Sequence, residues 1–176
     1  MQAPVEIAPL NCDDASMDLP QTWTVQAIAV VHSSREVVLD DDWDSETSSL
    51  HLLPPFDERS VRGLEEFSHL EVITLLDRVD PAAVHVYARR PRGNPAWPEV
   101  GILAQRAKDR VNRLGLSTCE LVRVEGTVLH VRGLDAVDAT PVLDIKPYMT
   151  EFAPRTAIRQ PAWSRELMRG YFDSTE

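Results

Sequence analysis

The sequence predicts a mainly β domain, closed as a barrel or packed as a sandwich. Two observations carry this. Seven or eight short runs rich in β-branched and apolar residues recur along 176 residues, and the connections between them are rich in proline, of which the chain has 13. Residues 118–124 and 127–131 also flank Glu125-Gly126 as a tight hairpin. Leu129 and Val131 then share one face, with His130 and Arg132 on the other.

The elements follow in order. Residues 1–21 carry Pro4, Pro9 and Pro20 without periodicity and read as an extended leader. Residues 22–31 (TWTVQAIAVV) form the first strand. An acidic loop spans 39–49, and a second strand over 49–53 stops at Pro54 and Pro55. Residues 57–67 read as a short helix with Asp57 as N-cap. Strands over 70–76 and 84–88 are separated by a turn at Asp80-Pro81. Residues 89–99, with Pro91, Gly93, Pro95 and Pro98, form a loop; 101–105 is a short strand and 106–115 another loop. A last strand covers 141–145, and a C-terminal helix capped by Ser164 covers 164–172. The expected organisation is one domain over 22–155 with a tail over 156–176.

Composition narrows the function. The apolar runs at 25–31 and 72–76 are far shorter than the roughly 18 residues that span a bilayer. Residues 1–10 lack a basic n-region and carry Glu6, so a signal peptide is not expected. Two cysteines in unlike contexts, Cys12 and Cys119, fit a reduced, cytoplasmic setting, with Cys119 in a core strand. The net charge of −10 is unevenly placed. Residues 1–50 hold ten acids and one base, Arg35, whereas 89–113 hold seven bases and two acids. The negative charge is therefore N-terminal, and a basic strip lies mid-chain.

Several motifs fail. Neither GxGxxG nor GxxxxGK[ST] occurs, so any nucleotide-like cofactor is held another way. Asp40-x-Asp42-x-Asp44 begins like a calcium loop but has Ser45 where glycine is needed and His51 where the closing glutamate belongs. Glu65 and His69 are spaced to share a helix face, but a third zinc ligand is not evident, so no metal is expected.

Four segments within 61–148 carry a resemblance: RGLEEFSHL at 62–70, RRPR at 89–92, RAKDRVNRLGLS at 106–117 and LDAVDATPVLDIKPY at 134–148. Together they resemble the TrmO, or TsaA-like, family of S-adenosylmethionine-dependent methyltransferases. The resemblance implies a small TsaA-like β-barrel with short helices and a C-terminal helix, working as a homodimer. Its tRNA-acting members methylate N6 of N6-threonylcarbamoyladenosine beside the anticodon.

The resemblance also implies site residues. Arg106, Leu116, Asp138, Ala139 and Thr140 would contact S-adenosylmethionine, joined by Asp77 and Arg78. Asp144, Lys146 and Tyr148 alternate along the chain, so an extended segment points them to one face. There they would orient the acceptor or form a structural ion pair; both readings stand. Arg89, Arg92, Arg110, Asn112 and Arg113 would meet an anionic substrate or serve as loop surface. The family's Pro-Arg-Gln segment is missing, Ala139 replaces its glycine, and the chain stops after a short tail. These departures point to a small-molecule or otherwise non-standard acceptor, with tRNA as the alternative. A cofactor-cleaving or aminocarboxypropyl-transferring enzyme, or a non-catalytic binding protein recruiting a basic partner through the acidic loop, are further alternatives.

Overall fold

A computed structural model describes residues 5–6 and 22–172; the leader, Cys12 included, otherwise lies outside the described residues, as do residues 173–176. β1 (Val5–Glu6) and β2 (Thr24–Val25) form a two-stranded ribbon. β3 (Ala29–Ser33), β4 (Thr47–Leu52) and β5 (His69–Leu75) belong to the main sheet. β6 (Ala88–Arg89) and β7 (Val100–Gly101) make a second ribbon outside it. β8 (Leu114–Glu125), β9 (Val128–Arg132) and β10 (Pro141–Pro147) complete a closed antiparallel barrel in the order β10–β3–β4–β9–β8–β5.

Alternation decides what enters the barrel. Ala29 and Val31, Leu50, Leu70 and Val72, Cys119, Leu129 and Val131, and Val142 all point inward and are essentially buried. Removing each large aliphatic side chain from water contributes about 1.5–3 kcal/mol. Closure is completed by β10, which pairs with β3 at its start and with β5 over the rest of its length. Register shifts at Val142/Asp144 in β10 and Leu121/Arg123 in β8 bend those strands around the barrel.

The predicted elements are largely present, and their departures have causes. The hairpin forms with Glu125 opposite Val128 and Gly126 at φ 60°. The strand read over 22–31 divides, because Thr24–Val25 pairs with Val5–Glu6 while Ile28 N donates to Val142 O of β10 at 2.8 Å. Asp57 does cap, its carboxylate accepting Arg59 N at 2.9 Å. Gly63, at φ 85°, then splits the expected helix into two 3-10 turns, Glu58–Val61 and Leu64–Glu66. Glu65 therefore sits on a turn and His69 on β5, so they do not share a helix face. The strand read over 84–88 shrinks to β6, since His85 N is drawn to Asp109 O at 2.9 Å. That over 101–105 ends at Gly101, where the buried Ile102 and Gln105 pull the chain into a 3-10 turn. α1 (Ala162–Leu167) starts two residues before Ser164, whose hydroxyl donates to Pro161 O within the first turn instead of capping it.

Gly115 is required by packing. It faces Thr74, which is 1% exposed, and a Cβ there would collide with Thr74 Oγ1. Gly115→Ala is expected to cost about 1–3 kcal/mol in urea unfolding, as overpacking does. An unchanged midpoint would show that the wall yields at this point.

Candidate functional site

The registers bring one set of strand ends together. The ends of β3, β5 and β9 and the starts of β4, β8 and β10 lie at the same mouth of the barrel. The turn over 133–140 links β9 to β10 across that mouth and is tied on both sides. Gly133 N donates to Glu46 O, Asp138 N to Arg35 O, and Ala139 N to Val31 O, each at 2.8–2.9 Å. Leu134 is fully buried and Thr140 is 2% exposed, which anchors the turn in the core. Asp138 Oδ1 accepts Ser33 N at 3.1 Å.

Three of the predicted cofactor residues, Asp138, Ala139 and Thr140, are thus on this turn, and Arg78 reaches it. Arg78 donates to Glu36 O and, at 2.7 Å, to Asp138 O, stapling the loops after β3 and β5 to the turn. Asp77 beside it is exposed. Leu116 stands on the outer face of β8, 47% exposed, and its carbonyl accepts Arg106 Nη2 at 2.6 Å. Arg106 is itself exposed.

Asp135 is a residue that sequence reasoning missed. Its carboxylate accepts the Ser117 hydroxyl and, at 2.6 Å, the Tyr171 hydroxyl, joining the C-terminal segment to the mouth. Burial, then the charge of Asp135, pushes the Tyr171 phenol well above its usual range, so it stays a neutral donor. A lone acid between the buried Leu134 and Ala136 was the available signal, since a carboxylate among core residues requires donors. Burial, then Asp135, also pushes the Cys119 thiol up to about 12, consistent with a core residue and not a nucleophile.

The proposed acceptor-facing residues lie further along β10. Leu116, Ile73 and Asp144 occupy one register row across β8, β5 and β10, and Thr118, Glu71 and Lys146 the next. Lys146 Nζ pairs with Asp144 Oδ2, which raises the lysine pKa. Tyr148 lies just past the strand end, its N–H on His69 O at 2.9 Å. Asp144 and Lys146 therefore do share a face and form the ion pair.

The basic strip is largely engaged within the chain. Arg89 grips Asp109 with both terminal nitrogens. Arg92 and Lys108 pair with the acidic loop. Arg113 donates to Val79 O at 2.9 Å, Arg110 is half-buried with its carbonyl accepting Arg113 N, and Asn112 is exposed. A groove of about 520 Å³ lies over β3, β4 and β9 and is lined by residues including His32, Ser49, His130 and Asp138.

The tRNA-methyltransferase O N-terminal domain family, TrmO_N, matches residues 28–153. The chain belongs to this TrmO family. A probable S-adenosyl-L-methionine-binding protein of Pyrococcus abyssi is 30% identical over 153 residues, covering 81% of this chain and 77% of its own length. The tRNA (adenine(37)-N6)-methyltransferases of Homo sapiens and Escherichia coli K12 are 34% and 38% identical over 59% and 60% of this chain. The matched stretch spans only 23% and 46% of those two proteins. Two crystal structures of TrmO from Pseudomonas aeruginosa superpose with TM-scores of 0.67 and 0.62, at 26% and 28% identity, over 84% and 77% of this chain and 64% and 60% of theirs.

One departure from the TrmO pattern carries a measurable strain. Ala139 sits at φ 64°, in the left-handed region that glycine adopts without penalty. Ala139→Gly is expected to raise stability by about 1 kcal/mol in thermal or urea unfolding. A loss of stability would mean that the methyl group packs favourably enough to outweigh the backbone strain.

Proposed function

We propose that this chain is an S-adenosylmethionine-dependent methyltransferase acting on tRNA, at the N6 nitrogen of an adenosine-derived base. The observation carrying the reading is the TrmO_N match across the barrel, with Arg106, Leu116 and the 138–140 turn at one mouth. The tRNA (adenine(37)-N6)-methyltransferase relatives from human and Escherichia coli favour the tRNA alternative over the small-molecule acceptor expected from the missing Pro-Arg-Gln segment.

The donor set at the mouth suits the cofactor. Arg106 offers a guanidinium for an amino-acid carboxylate. Asp138 and Asp135 offer negative charge toward a sulfonium or ammonium, and Leu116 an apolar surface. Bound there, S-adenosylmethionine supplies an electrophilic methyl group. The chain's own task is then positioning, which contributes much of the rate in a transfer of this kind. Arg78 keeps the 138–140 turn in place. Asp144 and Lys146 line the wall of β10 leading from the mouth, toward the acceptor. Tyr148, hydrogen-bonded to His69 at the start of β5, lies at the opposite end of the barrel and is left without a role at the mouth. Exposed Leu103, Leu114 and Leu116 supply apolar area for the homodimer that the family resemblance implies.

Methyl transfer from labelled S-adenosylmethionine to tRNA bearing N6-threonylcarbamoyladenosine tests the reading. The wild type is expected to label this tRNA but not tRNA lacking the modification. Arg110→Ala/Arg113→Ala is expected to lose at least about 10-fold in rate and to flatten the salt dependence, as loss of phosphate contacts does. Transfer to small-molecule acceptors without transfer to tRNA would overturn it.

A further inference from the structure

The acidic loop and the basic strip, far apart in sequence, meet in the fold. Arg92 Nη1 and Nη2 donate to Asp41 Oδ2 and Oδ1 at 2.9 and 2.7 Å, a bidentate pair. Arg92 Nε lies 3.8 Å from Asp40 Oδ2, and Lys108 Nζ donates to Asp40 Oδ1 at 3.2 Å. Two carboxylates thus occupy two of the seven cations in the strip.

The meeting is braced from both sides. Arg35, the single base of the first fifty residues, stacks its guanidinium 4.1 Å above the buried Trp43 ring. It also donates to Asp41 O and Asp42 O at 2.9 and 2.8 Å. The C-terminal segment supplies Gly170 O and Tyr171 O to Asp42 N and Trp43 N at 3.2 and 3.0 Å. Asp42 and Arg92 both have positive φ, 66° and 49°. An arginine rarely holds that conformation unless its surroundings fix it, whereas an aspartate adopts it more readily. A free surface loop needs neither the bracing nor the strain.

A carboxylate held bidentately on a guanidinium presents the same paired anionic oxygens as a phosphate. We propose that Asp40 and Asp41 are a built-in competitor for phosphate on Arg92 and Lys108, so that the loop is a specificity element restraining polyanion binding. RNA bound on this surface must displace the loop, which disfavours bulk RNA relative to a substrate that brings further contacts. The natural anion being RNA rests on the proposed function, but the competition needs neither cofactor nor methyl transfer.

Fluorescence anisotropy of the full chain with a labelled mixed-sequence single-stranded RNA tests this. Asp40→Asn/Asp41→Asn is expected to bind about 10-fold more tightly than wild type, with a salt slope steeper by about 1–2. Glu65→Gln/Glu66→Gln changes net charge equally on the exposed turn Leu64–Glu66 and is expected to shift affinity less than about 2-fold. Adding Arg92→Ala/Lys108→Ala to the asparagine variant is expected to remove the gain. Asp41→Asn alone, a milder change, is expected to give part of it. Equal gains from the two charge-matched variants, or a gain that survives loss of Arg92 and Lys108, would overturn the proposal. If the asparagine variant gains affinity as predicted but the wild type methylates no tRNA, the competition stands and the proposed function fails.

Discussion

Barrel closure through β10 is the constraint on which the rest of the structure depends. That strand must leave the 133–140 turn already aligned to meet β3, then shift register and continue along β5. The turn is therefore tied by hydrogen bonds to the loops after β3 and before β4, and its Leu134 is driven into the core. The same ties fix Asp138, Ala139 and Thr140 and aim Asp135 at Ser117 and Tyr171. Closing the barrel and shaping its mouth are one physical act. A candidate site built this way inherits the rigidity of the core.

Charge is organised around the same mouth. Asp40 and Asp41 of the acidic loop meet Arg92 and Lys108 of the basic strip. Most exposed ion pairs contribute little to stability. Their importance here is in what they occupy: a guanidinium holding Asp41 is unavailable to a phosphate until that contact opens. The net charge of −10 thus describes a chain that partly covers its own basic surface.

Local chemistry made much of the fold legible beforehand. The Glu125-Gly126 turn, the Asp57 cap and the inward Cys119 each depend on near neighbours, and each stands where the pattern placed it. The broken strand before β3 was not legible, because its two halves pair with different partners far along the chain. Nor was the helix over 57–67, where one left-handed glycine outweighed an otherwise helical pattern. The site divided in the same way. Asp138–Thr140 and Leu116 stood out by resemblance, whereas Asp135 and Tyr171 acquire meaning only when residues 36 apart meet. The pairing of Asp41 with Arg92 likewise spans 51 positions and has no local signature.

The central claim is that this mouth holds S-adenosylmethionine. Isothermal titration calorimetry of the full folded chain with S-adenosylmethionine addresses it most directly. The account predicts saturable binding at one site per chain, weakened at least about 10-fold by Arg106→Ala in a protein that remains folded. No saturable heat from a folded wild-type chain, or wild-type affinity in the Arg106 variant, would contradict it.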